Sequence, residues 1–372
     1  MKAILFANTD WYLYNFRLSF AEHLRKNGWE VIFMSPNGEH AEKLKEAGWT
    51  HIPFEFSRKG LNPFQESETI RRIKAIYERE KPDLVHHFTI KCVIYGSLAA
   101  KELGIKAIVN SITGLGYMFL SNKPHVRIIR EAVKHLYKKA LPDTAVIFEN
   151  PDDRSYFLEM GLVSEANSFI VLGTGIDTER FIPVPPPNSL PLTILPARMI
   201  WDKGVQEFVD AACMIQESGV KARFALVGSN DIGNPTCIPF DQLSKWQKEG
   251  NVEWWGWQDD VPTVISMCHI VCLPSYREGL PKILLEAASC GRPIVTTDVP
   301  GCREVVQEGV NGYLVPAKNA AALKDALLKL INDEEKRAAM GEASREIVVQ
   351  KFSEGIINEQ IYSVYQKALS NV

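Results

Sequence analysis

Two basic side chains lie close together just past the middle of the chain. Arg198 and Lys203 are five residues apart in the segment ARMIWDKG, which directly follows the apolar run Leu192–Pro196. Arginine offers a planar fork of donors and lysine a compact positive charge, and both suit the oxygens of a diphosphate. The apolar run predicts a strand, whose carboxyl end is where α/β proteins bind ligands. The alternative is an ordinary pair of solvated surface charges.

Two glutamates follow in the segment REGLPKILLEAASCG, with seven residues between them. Pro281 suits the first position of a helix. Glu278 would then lie in the loop before the helix, and Glu286 about one and a half turns inside it. The amides of Gly279 and Leu280, with the helix dipole, would form an anion site. Glu278 would bind sugar hydroxyls and Glu286 a ribose diol, although a solvated glutamate pair remains the alternative.

The elements around these residues alternate between short β-rich runs and longer helical runs. Such alternation predicts parallel sheets covered by helices on both faces. The predicted strands are Ile4–Phe6, Val31–Met34, Leu84–His87, Ala107–Asn110, Val146–Phe148, Phe169–Val171, Leu192–Pro196, Arg223–Val227, Val252–Trp254, Ile270–Leu273 and Ile294–Thr296. The segment NTDWYLYNFR after the first strand is predicted to be a loop, with a helix from Ser19.

A proline-rich segment separates the two alternating series. Its sequence, PVPPPNSLP, is incompatible with a helix or a central strand, so residues 181–191 are predicted to be a linker. The first domain would comprise residues 1–180 and the second residues 192–352, followed by a detached helix at 353–372. Each domain would be an α/β unit, and a cleft between two facing units is a common place for a ligand.

Composition excludes several classes of protein. The 372 residues are 46% hydrophobic and 23% charged with a net charge of −3, so neither disorder nor a general nucleic-acid-binding surface is expected. The seven cysteines are irregularly spaced without a CxxC pair, which favours core thiols in a reducing compartment over disulfides or zinc. The N-terminal apolar run is too short for an export signal, and none is long enough to span a membrane.

Residues 123–139 carry a repeated positive charge. With spacings of four, three, four and four, the cations would share one face of a helix; they are Lys123, Arg127, Arg130, Lys134 and Lys138. A basic amphipathic helix is typical of an element that binds an anionic membrane surface. An ordinary surface helix packed on the sheet is the alternative.

Together these segments resemble glycosyltransferase family 4. The segment ARMIWDKG resembles the Arg-x4-Lys-Gly loop of that family, and Glu278 and Glu286 match its E-x7-E motif. VNGYLV and GTGID resemble two further family segments, although Thr174 replaces an asparagine in the second. In the first half, PDLVHHFTIK and NSITGLGYMF resemble a bacterial subgroup that builds lipid-linked surface polysaccharides. The segments NFR, SRKGLNP and TGLG resemble bacterial N-acetylgalactosaminyltransferases that act on undecaprenyl-diphosphate-linked sugars.

The resemblance implies a GT-B fold, in which two Rossmann-like domains face each other across a cleft and the last helix crosses back to the first domain. It implies a retaining transfer of a hexose or N-acetylhexosamine from a UDP-sugar to a lipid-linked saccharide at the inner face of the cytoplasmic membrane. No metal or other cofactor is expected, and the sequence has no D-x-D. A uridine donor is the expectation for the subgroup.

The resemblance also implies roles for single residues. Arg198 and Lys203 would neutralise the leaving diphosphate, Glu278 would orient the donor sugar, and Glu286 would bind the ribose. Further donor contacts are expected from Gly228, Trp257, Gln258, Gly279, Leu280 and Pro281. Thr113 lies where many family members have a histidine; it keeps a hydroxyl for the sugar but cannot act as a base near neutral pH.

The acceptor would be bound by the first domain. Candidate phosphate-binding residues are Asn15, Arg17, Arg58 and Lys59, each of which is equally well explained as a solvated polar group. His86 fits a structural position, and His87 is left open. Two alternatives to a transferase remain: a sugar-nucleotide epimerase of the same fold, and a non-catalytic nucleotide-sugar-binding protein. A nicotinamide dehydrogenase is disfavoured because no G-x-G-x-x-G follows a strand.

Overall fold

The computed structural model describes residues 1–56, 63–115, 119 and 124–370, and it divides into two compact units. One unit comprises Met1–Thr174 and Glu354–Val372, and the other comprises Gly175–Ser353. The division therefore precedes the predicted linker at 181–191, which belongs to the second unit. That segment is attached by hydrogen bonds: Arg345 donates to the Phe181 carbonyl at 2.8 Å, and His269 contacts the Pro187 carbonyl at 3.0 Å.

The first unit contains a seven-stranded, wholly parallel sheet in the order β3-β2-β1-β4-β5-β6-β7. Its strands are β1 Lys2–Phe6, β2 Glu30–Ser35, β3 Thr50–Pro53, β4 Leu84–Phe88, β5 Ala107–Ile112, β6 Ala145–Phe148 and β7 Ser168–Ile170. Both faces are covered, because Ile4 and Phe6 of β1 enter one apolar cluster while Ala3 and Leu5 enter another. This two-sided burial explains the nearly continuous apolar strands.

The helices of the first unit follow its strands. They are α1 Asp10–Lys26, α2 Glu39–Glu46, α3 Pro63–Glu80, α4 Ile90–Glu102, α5 Pro124–Ala140, α6 Pro151–Glu159 and, at the C-terminus, α14 Glu354–Ser370. The prediction of a loop after the first strand is wrong, since α1 begins at Asp10. The Thr9 side chain accepts a hydrogen bond from the Tyr12 amide at 3.1 Å and so caps this helix.

The C-terminal helix α14 packs in the first unit, as the resemblance implied. Its buried face carries Ile357, Ile361, Val364 and Tyr365. Asn358 donates to the Ser19 hydroxyl at 2.9 Å, and the Tyr365 hydroxyl lies 2.9 Å from His86 Nδ1 on β4. Helical spacing of apolar residues therefore identified both the helix and its buried face.

The second unit repeats the topology of the first with six parallel strands in the order β10-β9-β8-β11-β12-β13. The strands are β8 Leu192–Pro196, β9 Arg223–Val227, β10 Glu253–Trp254, β11 Ile270–Leu273, β12 Ile294–Thr297 and β13 Gly312–Val315. The helices are α7 Val205–Glu217, α8 Phe240–Lys248, α9 Val261–Ser266, α10 Lys282–Ser289, α11 Cys302–Val305, α12 Ala320–Ile331 and α13 Glu334–Lys351. Strand order reverses between β8 and β11, and ligands bind at such a switch point.

In the part of the chain that the structure describes, no helix has both the length and the apolarity of a membrane span.

Candidate active site

Two loops meet at the switch point of the second sheet. The basic loop, residues 197–204, follows β8, and the glutamate loop, residues 274–281, follows β11. The strands before them are adjacent and parallel, with Thr193 paired to Ile270. Both loops therefore leave the same edge of the sheet side by side, although some 70 residues separate them in sequence.

The cation and carboxylate predicted from these two loops contact each other directly. Lys203 Nζ forms an ion pair with Glu278 Oε1, and only 18% and 12% of the two side chains are exposed. Ser275 Oγ donates to the same carboxylate oxygen at 2.6 Å. Partial burial limits screening by water and makes this charge pair stronger than one on an open surface.

The backbones of the two loops also approach closely. Gly204 has a φ of 70°, and a Cβ atom at this position would overlap the Pro274 carbonyl. Gly301 lies beyond β12 and approaches the glutamate loop from another side. It has a φ of 81°, and a Cβ there would overlap the Gly279 carbonyl. Glycine is therefore required at both positions for space as well as for conformation.

Arg198, the other predicted diphosphate ligand, has a different carboxylate partner. Its Nη1 donates to Asp231 Oδ2 at 2.7 Å, and the Asn234 side chain donates to the same oxygen at 2.9 Å. More than half of the arginine side chain, 58%, is exposed. Its planar group thus keeps donors available for a second anionic partner.

Glu286 lies on α10, behind the glutamate loop. The helix begins at Lys282, so Pro281 is its N-cap residue and not its first residue as predicted. Glu286 therefore lies about one turn inside the helix, not one and a half turns. Its side chain is half-buried, and burial raises the pKa of this carboxyl, against opposing effects of Lys282 and Arg180. Gly279 and Leu280 are half-buried in the loop just before the helix.

The residues predicted to contact the nucleotide base lie beyond β9 and β10. Gly228 has a φ of 140°, and its amide donates to the Gly256 carbonyl at 2.7 Å. Trp254 Nε1 donates to the Gly228 carbonyl at 2.9 Å, which fixes that tryptophan in the structure. Trp257 is 58% exposed, and the Gln258 side chain donates to the Trp255 carbonyl at 2.9 Å. Of these tryptophans, Trp257 is the exposed one.

The histidines on β4 are structural. His86 is fully buried between the hydroxyls of Tyr365 and Ser111, at 2.9 and 2.8 Å, and burial lowers its pKa well below the usual value. His87 is fully buried between Tyr77 and Asn110, both at 2.9 Å, and burial lowers its pKa to about 4. Thr113, which follows β5, is half-buried.

The predicted acceptor residues differ in their surroundings. Arg58 and Lys59 lie outside the described residues. The Asn15 side chain is half-buried and donates to the Trp11 carbonyl at 2.9 Å. Arg17 is only 2% exposed and lies 3.6 Å from the carboxylate of Glu149. Arg17 is therefore a buried cation with a carboxylate and the Tyr12 hydroxyl beside it.

The predicted basic face corresponds to α5. Lys123 lies outside the described residues, whereas Arg127 and Lys138 are exposed. Arg130 and Lys134 are half-buried, and Lys134 pairs with Glu131 at 2.8 Å. Sequence analysis missed a further feature of this surface. The side chain of Ile128, which follows Arg127 in the sequence, is 74% exposed. Two of the predicted cations, Arg127 and Lys138, thus face solvent on this helix together with Ile128.

The described residues include no cluster of three or more histidine, cysteine or acidic side chains arranged to hold a metal ion. That the reaction needs no metal stays a prediction.

Two family models match this chain. One, described as "Glycosyl transferases group 1", covers residues 177–347, and the other, "Glycosyl transferase 4-like", covers residues 2–150. The N,N'-diacetylbacillosaminyl-diphospho-undecaprenol alpha-1,3-N-acetylgalactosaminyltransferase of Campylobacter jejuni serotype O:2 is 29% identical and covers 97% of both chains. The UDP-Gal:alpha-D-GlcNAc-diphosphoundecaprenol alpha-1,3-galactosyltransferase of Escherichia coli is 24% identical, covering 74% of this chain and 73% of its own.

A solved structure shares the fold. The Anabaena protein HepE, in complex with UDP and glucose, superimposes with a TM-score of 0.79 and covers all of both chains at 18% identity.

Proposed function

This chain belongs to the group 1 glycosyltransferases and has their GT-B fold, and we propose that it moves a hexose or N-acetylhexosamine from a UDP-sugar to an undecaprenyl-diphosphate-linked saccharide. The observation that carries the proposal is the pairing of Lys203 with Glu278 at the switch point of the second sheet. Two relatives, named as transferases that act on undecaprenyl-diphosphate-linked sugars, support the acceptor class. HepE, whose structure is a complex with UDP and glucose, supports the donor class.

The proposed reaction breaks the bond between the anomeric carbon and the diphosphate oxygen. Negative charge grows on the leaving diphosphate, and positive groups aimed at it supply the main stabilisation. Lys203 and Arg198 are the cations proposed for this task, with no metal. The acceptor hydroxyl attacks from the face that the diphosphate leaves, so the anomeric configuration is retained, and the departing phosphate accepts its proton. Glu278 orients the donor sugar, and Glu286 binds the ribose.

Both cations are held by carboxylates in the structure. Glu278 pairs with Lys203, and Asp231 pairs with Arg198 at 2.7 Å. A diphosphate can replace either carboxylate as the anionic partner, because both present oxygen with negative charge. In the proposed reaction donor binding exchanges one anionic partner for another, so the partly buried Lys203 keeps a compensating charge.

The proposed acceptor lies in a membrane, so the enzyme would work at its cytoplasmic face. The exposed Arg127, Ile128 and Lys138 of α5 support this location, since cations attract anionic lipids and an apolar side chain can enter the interface.

The test is a transfer assay with a panel of UDP- and GDP-sugars and undecaprenyl-diphosphate-linked acceptors, in buffer with EDTA. We expect release of UDP and a gain of one hexose or N-acetylhexosamine in the mass of the lipid product. NMR of the new linkage should show the anomeric configuration of the donor. Activity only after a divalent cation is restored would contradict the metal-free mechanism. Conversion of the UDP-sugar without acceptor would favour the epimerase, and binding without turnover the non-catalytic protein.

A further inference from the structure

We propose that Tyr276 is a positioning residue that holds the glutamate loop against the first turn of α7 through Glu207. We call this pair of side chains the tyrosine latch. The inference rests on the proposed function for its consequence in the reaction, but the contacts of the latch are independent of it. No motif identified from the sequence includes Glu207, and Tyr276 was not among the predicted site residues.

The latch joins two segments that are 69 residues apart in sequence. The Tyr276 hydroxyl donates to Glu207 Oε1 at 2.7 Å. Glu207 lies in the first turn of α7, directly after the basic loop, and Tyr276 lies between Ser275 and Glu278 of the glutamate loop. Among the described residues, Glu207 Oε2 is buried without a hydrogen-bond partner, so the tyrosine supplies the one side-chain hydrogen bond seen for this carboxylate. A hydrogen bond to a charged acceptor is among the stronger kinds.

Further contacts fix the tyrosine in one orientation. Its backbone amide donates to the Asp202 carbonyl of the basic loop at 2.9 Å. The Asp202 carboxylate in turn accepts from the Thr236 hydroxyl at 3.0 Å. Lys318 Nζ lies 4.7 Å from the centre of the tyrosine ring, within the range of a cation–π contact. Tyr276 is thus held at its amide, its ring and its hydroxyl.

The latch matters because the side-chain contact described above between the two loops is the ion pair of Lys203 and Glu278. In the proposed reaction that pair opens, since Lys203 turns to the diphosphate and Glu278 to the donor sugar. The Tyr276 amide still bonds the basic loop at Asp202, and its hydroxyl still bonds Glu207 at the start of α7, directly after that loop. They maintain the spacing of the two functional side chains while these contact the substrate. Displacements of about 1 Å at such a site cost large factors in rate.

The structural test needs no nucleotide. Hydrogen exchange of the amides in residues 275–280 is measured in the wild type, Y276F, K203M and the double variant. We expect slow exchange in the wild type and in Y276F, because the ion pair still links the loops. In the K203M background, Y276F should accelerate exchange about tenfold or more, since the latch is then the remaining side-chain link. Equal effects of Y276F in both backgrounds would overturn the proposal.

The kinetic test uses the transfer assay. Y276F should lower kcat about tenfold with little change in the donor KM or in Tm, whereas Tyr313→Phe, a substitution on β13 of the same unit, should leave kcat unchanged. Glu207→Gln keeps a carbonyl oxygen as acceptor and should retain most activity, while Glu207→Leu should match Y276F. Wild-type kcat in both Y276F and Glu207→Leu would reject the latch. A wild type that transfers no sugar would instead reject the proposed function, and the exchange measurement would still decide on the latch.

Discussion

Lys203 is the residue with the most direct part in the proposed reaction. Lys203→Ala removes the positive charge aimed at the leaving diphosphate and should lower kcat about 100- to 1000-fold, the usual cost of losing one such group. Glu278 keeps its hydrogen bond from Ser275 at 2.6 Å, so folding should persist. Steady-state transfer rates and a thermal melt measure the two effects.

The matched control for that substitution is Lys245→Ala. Lys245 also forms an ion pair in the second unit, with Glu249 at 3.8 Å, but both side chains are well exposed. Surface pairs of this kind contribute little, so the control should keep wild-type activity and stability. Equal activity of the Lys203 and Lys245 variants would refute the assignment of Lys203.

Sequence spacing predicted the cations and glutamates of the site but not their partners. Arg198 with Lys203, and Glu278 with Glu286, are separated by fixed short distances along the chain, and such intervals are visible in a sequence. Asp231 lies 33 residues from Arg198, and the latch spans 69 residues. Contacts of this kind depend on which strands become neighbours, and no local pattern of residue types specifies that.

At the scale of elements, the two loops of the site depend on Gly204. Gly204→Ala would push the new Cβ into the Pro274 carbonyl and separate the basic loop from the glutamate loop. Gly219→Ala is the matched control, because Gly219 has a similar positive φ of 82° but nothing within 4 Å of an added Cβ. The backbone conformation should cost both variants about 1 kcal/mol of stability, and the overlap with the Pro274 carbonyl should destabilise the Gly204 variant further.

Only the Gly204 variant should lose activity, by about 100-fold, since it alone displaces Lys203 relative to Glu278. Chemical denaturation measures the stability of both proteins, and the transfer assay measures kcat/KM. If the two variants have the same activity, the close approach of the loops has no part in the reaction.

Helix α1 shows where element prediction fails. Trp11, Tyr12, Tyr14 and Phe16 are residues enriched in strands, and they obscure a helix that begins at Asp10. Side-chain packing overrides that preference. Within the helix the Tyr12 ring stacks on the Phe16 ring one turn later, with 5.2 Å between their centres, and it also packs on the Phe88 ring of β4 at 5.5 Å. Local propensity is a weak guide where aromatic side chains gain more from the surrounding core than they lose in the helix.

Strand β4 makes the stability of the first unit sensitive to acid. In the folded chain His87 stays neutral down to its pKa of about 4, whereas in the unfolded chain it binds a proton below its ordinary value of 6.5. Between these values the unfolded state holds more protons, so the free energy of unfolding should fall as the pH is lowered. The full effect is about 3 kcal/mol, and His86 acts in the same direction.

Urea unfolding at several pH values between 7 and 4 measures this dependence. His87→Gln removes the titrating group, so its stability should fall less steeply with acid, even though its stability at pH 7 is lower. His135→Gln, at an exposed position on α5, is the control and should keep the wild-type slope. A His87→Gln slope as steep as that of the wild type would show that burial of this histidine is not the cause.

At the scale of the whole molecule, the proposed function needs the enzyme to meet a lipid-linked acceptor at a membrane. Arg127 and Lys138 are exposed on α5, and Ile128 between them is 74% exposed. Each cation near an anionic surface contributes about 1 kcal/mol.

The double variant Arg127→Gln, Lys138→Gln should therefore bind vesicles of phosphatidylglycerol and phosphatidylethanolamine about thirtyfold more weakly, as measured by co-sedimentation. Ile128→Ser should weaken binding without changing its dependence on salt, because it removes apolar contact and no charge. The control exchanges two exposed lysines of the second unit, Lys245→Gln and Lys248→Gln, and should bind as the wild type does. If the two double variants lose the same affinity, the attraction is general to the protein surface and α5 is an ordinary surface helix.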